Sequence, residues 1–452
     1  MEGTREDRLA AGRALREAVP RSAHGEWAAP NGRRDPIDVL LEQGSTRVSE
    51  LVPVRFDRMI VSPFAFLRGS AAVMAMDLAS TPVTGLRVQA CGDAHVGNFG
   101  GFATPERGVV FDINDFDETL PAPWEWDVKR LAASLQVVAR ERGFDAAACD
   151  RVVLTAVRTY RERMSSYAGL RTLGLWYARI AIDEAIAHFP RKYRPLAEQR
   201  VAKARRKTSG RAVSRLTEVV DGHLRFVEAP PLIVRLENTP HALAEAAQFI
   251  EGYRQSLSDD HRALFDRFRL VDVARKVVGV GSVGTWCWVA LLEGPDHPAG
   301  DPLVMQVKEA QESVLEPYAG PSALGHHGLR VVAGQRLTQA ASDIFLGWSE
   351  GPMSGRHYYL RQLWDVKGQG DLSVMDVSLL SYYGALCAWA LARAHARTGD
   401  PVMLSGYLGS SKKFDRAIVR FASVYADQTE RDHAVLVEAA RDGRVPLTGE
   451  AA

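Results

Sequence analysis

Residues 270–310 turn to β composition around a glycine run, GVGSVG, with Gly279, Gly281 and Gly284 at its fixed points. A dinucleotide fingerprint of this form needs a helix directly after the glycines, so that the pyrophosphate rests on its N-terminus. Here the continuation is TWCWVALLEG, β-branched, aromatic and apolar, ending in a turn. The glycines are therefore expected to join two antiparallel strands. Backbone amides of such a loop, Ser282 included, can approach phosphate oxygens because no Cβ stands in the way. A third strand, VMQVKEA, then presents Lys308.

Almost two hundred residues earlier, the stretch CGDAHVGNFGGFATPERGVVFDINDFDETLPAPWEWD (91–127) gathers eight Asp and Glu residues with His95 and Asn98. Asp93 stands five positions before Asn98. Ligands so rich in oxygen and free of sulfur suit Mg²⁺, with Mn²⁺ possible, rather than zinc. In FDINDFDET, Asp115-Phe116 resembles the metal-binding Asp of kinases and its aromatic neighbour, a register that favours Asp115 over its rivals Asp112 and Asp117.

The glycine hairpin and Lys308 resemble the nucleotide lid of kinases and the strand lysine that pairs with the α- and β-phosphates of ATP. GDAHVGN resembles more specifically the loop of aminoglycoside-phosphotransferase-like kinases, which reads roughly HGDxHxxN; Asp93, His95 and Asn98 fall on it, and Cys91 replaces its first His. The resemblance implies that Asp93 accepts the proton of the attacking hydroxyl and that Asn98 and Asp115 hold metal. Asp127 stands where that pattern has a further Asp, twelve positions after Asp115. Gln362 and Leu363, in the hinge-like YYLRQLWDV, are expected beside the nucleotide.

In ordinary kinases the glycine loop precedes the catalytic loop, whereas here it follows. The order becomes regular if the chain is read as a circular permutation starting at Gly279, with LARAHA before the catalytic loop, since domain termini often lie close together. The whole chain also resembles an uncharacterised bacterial family, domain of unknown function 2252, through SPFAFLRG, CGDAHVGNFG, NDFDETLP and GVGSVGT…VKEA. One kinase part is missing. The expected helix GHHGLRVVAGQRLTQAAS has no Glu to pair with Lys308, which leaves Glu309, Glu312, Glu316 and Gln335 as alternatives.

These signals together predict an α+β, kinase-like bilobal fold. Residues 1–50 form an N-terminal arm, 51–270 a mostly helical large lobe, 271–365 a small antiparallel β lobe, and 366–452 helices returning to the large lobe. The function they point to is ATP- and Mg²⁺-dependent phosphoryl transfer to a hydroxyl of a small molecule. Adenylyl transfer on the same fold and nucleotide binding without turnover are the alternatives. A net charge of +1 supplies no field for nucleic acid. No apolar run reaches the roughly 20 residues of a membrane span. Cys91, Cys149, Cys287 and Cys387 form no CxxC pair and the N-terminus has no apolar signal core, so a reducing cytoplasm is expected. No stretch fixes an oligomeric state. The basic run Lys203–Arg211 reads as a solvated helix end, His395 as a packed core residue, and Arg58 and Arg68 as either structural or within reach of phosphate.

Overall fold

Apolar residues at helical spacing from Trp124 and Val377 produce two helices that carry the largest core, Trp124–Glu141 and Val377–Thr398. Asp145 and Asp376 cap the neighbouring helix Ala146–Tyr167 and Val377–Thr398 through backbone amides at Ala148 and Leu379. The helix Lys413–Arg441 closes this core with Phe414, Ile418 and Phe421. The computed structural model describes residues 3–205, 213, 215–220, 223–236, 239–277, 283–295, 300–363, 368 and 370–449.

Four short strands lie against these helices: β1 (Arg87–Ala90), β2 (Phe99–Ala103), β3 (Val109–Ile113) and β4 (Leu120–Pro123). Strand composition is plain only in β1 and β3. They do not pair with each other: β1 pairs with β4, and β3 with β2, both antiparallel. LPAP and FGGFA hid the two partners, because Pro and Gly are poor strand formers away from edges. Next come β5 (Thr217–Val220) and β6 (His223–Phe226), which pair antiparallel on either side of the expected Asp221-Gly222 turn. That turn lies outside the described residues.

The remaining strands are β7 (Ile233–Arg235), β8 (Arg269–Lys276), β9 (Cys287–Glu293), β10 (Pro302–Glu309), β11 (Gly347–Glu350) and β12 (His357–Gln362). They form one antiparallel sheet in the order β11-β12-β10-β9-β8-β7. β10 lies inside the sheet and is buried almost throughout, which explains its nearly unbroken apolar run. One face of the sheet packs on Tyr253, Phe265 and Phe345; Ala274, Val289 and Val304 cluster with Leu216, Phe226 and Leu363. β11 starts later than DIFLGW suggested, because the Asp343 carboxylate takes the Phe345 amide and turns the chain first.

The N-terminal helix Arg5–Ala18 packs on Pro401–Leu408. Gly12 is required there: a Cβ would lie 2.1 Å from the Met403 carbonyl oxygen. The protein is thus α+β and mostly helical, with one six-stranded antiparallel sheet. Among the described residues, no helix is long and apolar enough to cross a membrane.

Candidate active site between sheet and helices

Lys308 leaves β10 on the face that meets the helices. Its ammonium lies 2.5 Å from Asp117 Oδ2 and 3.6 Å from Asp115 Oδ1. Tyr359, directly opposite on β12, donates its hydroxyl to Asp117 Oδ1 at 2.7 Å. Burial opposes the lysine charge, but Asp115 and Asp117 override it and hold its pKa well above the usual range. Among the described residues, none of Glu309, Glu312, Glu316 and Gln335 pairs with Lys308. Glu309 pairs with Arg356, Glu316 accepts from the Ser313 amide, and Gln335 donates to Gln339. The helix His327–Thr338 contributes Arg330 instead, which donates to the carbonyls of Asp117, Thr119 and Gln311.

The loop after β1 is held by its own backbone and by an acid from the next helix. The Asp93 carbonyl accepts from the His95 amide (2.8 Å) and from Asn98 Nδ2 (2.7 Å). Asp127 accepts from the Cys91 and Gly92 amides at 2.7 and 3.0 Å, and its Oδ2 lies 3.1 Å from His395 Nε2. Gly92 has φ of 80°, and a Cβ there would lie 2.3 Å from the Glu118 carbonyl oxygen, so only glycine fits. The Asn98 carbonyl accepts from the Asn114 amide at 2.8 Å, which ties this loop to the acidic stretch.

The Asp93 carboxylate is 2.5 Å from Arg130, one turn beyond Asp127 on the same helix. Burial raises the Asp93 pKa and Arg130 works against that rise. His95 Nε2 lies 3.7 Å from Asp93 Oδ2. Burial, followed by Arg130 and Arg68, pushes the His95 pKa well below its ordinary value, so the ring is neutral at neutral pH. Arg130 was not singled out from the sequence, although i, i+3 spacing from Asp127 puts both on one helix face.

Asp93, Asn98, Asp115 and Asp117 line one cavity of about 130 Å³, together with Arg47, Arg55 and Arg68. Asp112 does not line it. Its carboxylate has no exposed surface and is paired at 2.6 Å with Arg393, equally buried. Gln362 lines a different cavity of about 350 Å³ beside Asn114 and Arg361, and Leu363 is packed in the apolar cluster with Phe226. Gly279, Gly281 and Ser282 lie outside the described residues. Gly284, at φ 88°, accepts from the Val48 amide at 2.7 Å, and Arg47 donates to the Val283 carbonyl.

Among the described residues, no group of three or more His, Cys, Asp or Glu side chains is arranged to hold a metal ion. Mg²⁺ rarely needs one: one or two carboxylates plus substrate phosphates and water suffice. With its amide nitrogen engaged at Asp93, Asn98 retains its oxygen as a hard donor beside Asp115, and that pair fits Mg²⁺.

The fold and cleft define an α+β protein that sets a buried sheet lysine against a loop-borne cluster of acids. The chain belongs to the family described as an uncharacterized protein conserved in bacteria (DUF2252), whose model matches residues 47–439. No curated protein and no solved structure matches it.

Proposed function

We propose that the protein is a cytoplasmic ATP- and Mg²⁺-dependent phosphotransferase with a circularly permuted, kinase-like fold. The observation that carries this reading is that Lys308 lies 3.6 Å from Asp115, which lines one cleft together with Asp93, although residue 308 lies far from the other two in sequence. The antiparallel sheet with its lysine on the third strand of the glycine hairpin supports it, as does Asp127 bracing the loop of Asp93. Four free, buried cysteines agree with a reducing compartment.

In this reading Lys308 exchanges Asp117 for nucleotide phosphates. The acceptor hydroxyl attacks the γ-phosphorus, the bond from that phosphorus to the bridging oxygen of ADP breaks, and the hydroxyl proton passes to Asp93. Arg130 keeps Asp93 ionised and aimed, and the neutral His95 adds no competing charge. Asn98 and Asp115 would hold Mg²⁺, which when bound would supply charge neutralisation on the phosphates. A proton transfer of this kind contributes about 10²–10⁴ in rate.

The test is thermal denaturation with ATP and Mg²⁺, followed by mass analysis of product from a metabolite pool. Ligand at about 100 times its dissociation constant adds roughly 2.7 kcal/mol. Asp93→Ala is expected to abolish transfer while nucleotide binding persists; undiminished turnover would remove Asp93 from its role. Adenylyl product would reassign the chemistry. Nucleotide binding without turnover is the second reading, favoured by the tight Arg130–Asp93 pair, which already occupies the Asp93 carboxylate.

A further inference from the structure

The cavity beside Asp93 is lined by six acids and three arginines. Four of the acids have a cation outside the lining: Asp93 has Arg130, Asp115 and Asp117 share Lys308, and Glu309 has Arg356, while burial pushes the Glu118 pKa up to about 7 and Glu312 is exposed. Arg47, Arg55 and Arg68 line the same space, and among the described residues none of them forms an ion pair with a carboxylate. Arg55 has no exposed surface; it donates to the Leu40 and Gly69 carbonyls and to Gln43, and its Nε has no partner. The Nε atoms of Arg47 and Arg68 are likewise buried and unpartnered. Burial lowers the pKa of all three, yet a guanidinium stays charged in proteins. Buried charges without counter-charge are costly, and a forked guanidinium matches a carboxylate or phosphate in geometry.

Position separates these arginines from the nucleotide lysine. Arg55 and Arg68 come from consecutive helices, Val52–Met59 and Pro63–Gly69. Arg68 Nε would lie 3.8 Å from a Cβ on Gly97, so it stands at the loop that carries Asp93, where an acceptor hydroxyl must sit. The cavity, at about 130 Å³, is well below the roughly 300 Å³ at which ordinary ligand pockets begin, and suits a head group.

We infer that the acceptor carries an anionic group, a carboxylate or a phosphate, near the hydroxyl that receives the phosphoryl group, and that Arg55 and Arg68, with Arg47, bind that anion. Naming it the acceptor rests on the phosphotransferase reading; the anion site itself does not.

The experiment titrates inorganic phosphate and, separately, acetate into the full-length chain by calorimetry, with MgADP titrated in parallel. Arg68, only partly buried, is the safe substitution, and Arg55→Lys keeps the buried charge while removing the fork. Arg68→Gln is expected to weaken the preferred anion about tenfold and Arg55→Lys by less. Tighter binding of phosphate or of acetate tells which anionic group the site takes. Unchanged binding in Arg68→Gln, or no binding of either anion to the wild type, overturns the inference. Arg68-dependent anion binding without MgADP binding would leave this site standing and remove the phosphotransferase reading alone.

Discussion

The Lys308 ammonium sits 2.5 Å from the Asp117 carboxylate, and the helix behind it, His327–Thr338, contains no acid to share the contact. The side chain of Lys308 is 3% exposed and that of Asp117 28%, so water compensates the acid better than the base. Asp117→Ala is therefore predicted to cost about 3 kcal/mol, the lower end for a broken buried pair, since Asp115 remains 3.6 Å away. Lys308→Met, which fills the same volume with an apolar chain, is predicted to cost only about 1–2 kcal/mol. Urea denaturation of both variants checks the ranking, and the opposite order would show that Asp117 is not the main support of the lysine.

Asp127 acts on the loop of Asp93 through its carboxylate, accepting two amides that no other group among the described residues reaches. Asp127→Ala leaves the Cys91 and Gly92 amides buried and unmet, at a predicted cost of about 2–5 kcal/mol. Asp127→Asn keeps one acceptor oxygen and should cost about half as much. In the phosphotransferase reading both variants lose turnover out of proportion to any loss of MgADP affinity. Equal losses in the two quantities would mean that Asp127 supports the fold only.

Asp112 is predicted to be structural. Arg393, with no exposed surface, donates to both of its oxygens and to the Thr338 carbonyl. Asp112→Ala strands that guanidinium and should cost about 3–5 kcal/mol. The Mg²⁺ dependence of nucleotide binding should be unchanged in any folded Asp112 variant, including Asp112→Asn. A shifted Mg²⁺ requirement would return Asp112 to the metal set.

The residues that meet in the cleft were readable where their spacing carries a geometry. Asp93 and Asn98 are fixed by one tight turn, Asp127 opens a helix, and Lys308 follows a hairpin whose register is set by its pleat. What escaped lacks such a local signature. Asp112, Asp115 and Asp117 stand two or three apart in one acidic stretch, and only the approach of β10, β12 and the Val377–Thr398 helix assigns Asp117 to Lys308 and Asp112 to Arg393, a partner 281 residues away. Arg47 and Arg55 are single cations whose lack of a carboxylate is a property of three-dimensional packing. The strand β4 is concealed by two prolines that the β1 pairing tolerates.

Glu118 gives the cleft a pH dependence of stability. Burial pushes its pKa up from 4.5 to about 7, against the pull of the Val314 amide, which donates to Oε2 at 2.8 Å. Between those values the folded chain holds a proton that the unfolded chain has already released. The unfolded state then binds fewer protons, so this group's contribution to stability falls as pH rises from about 4.5 to 7, and levels off above. Glu118→Gln cannot ionise, and its amide oxygen can still accept from Val314. Its stability relative to the wild type is predicted to rise steadily from about pH 5 to pH 7 and stay constant by about pH 8. Taking the difference between the two proteins cancels the titration of groups that both share. Parallel urea-denaturation curves across that range, with no change in the gap, would place Glu118 at an ordinary carboxylate pKa and remove the pH sensitivity assigned to it.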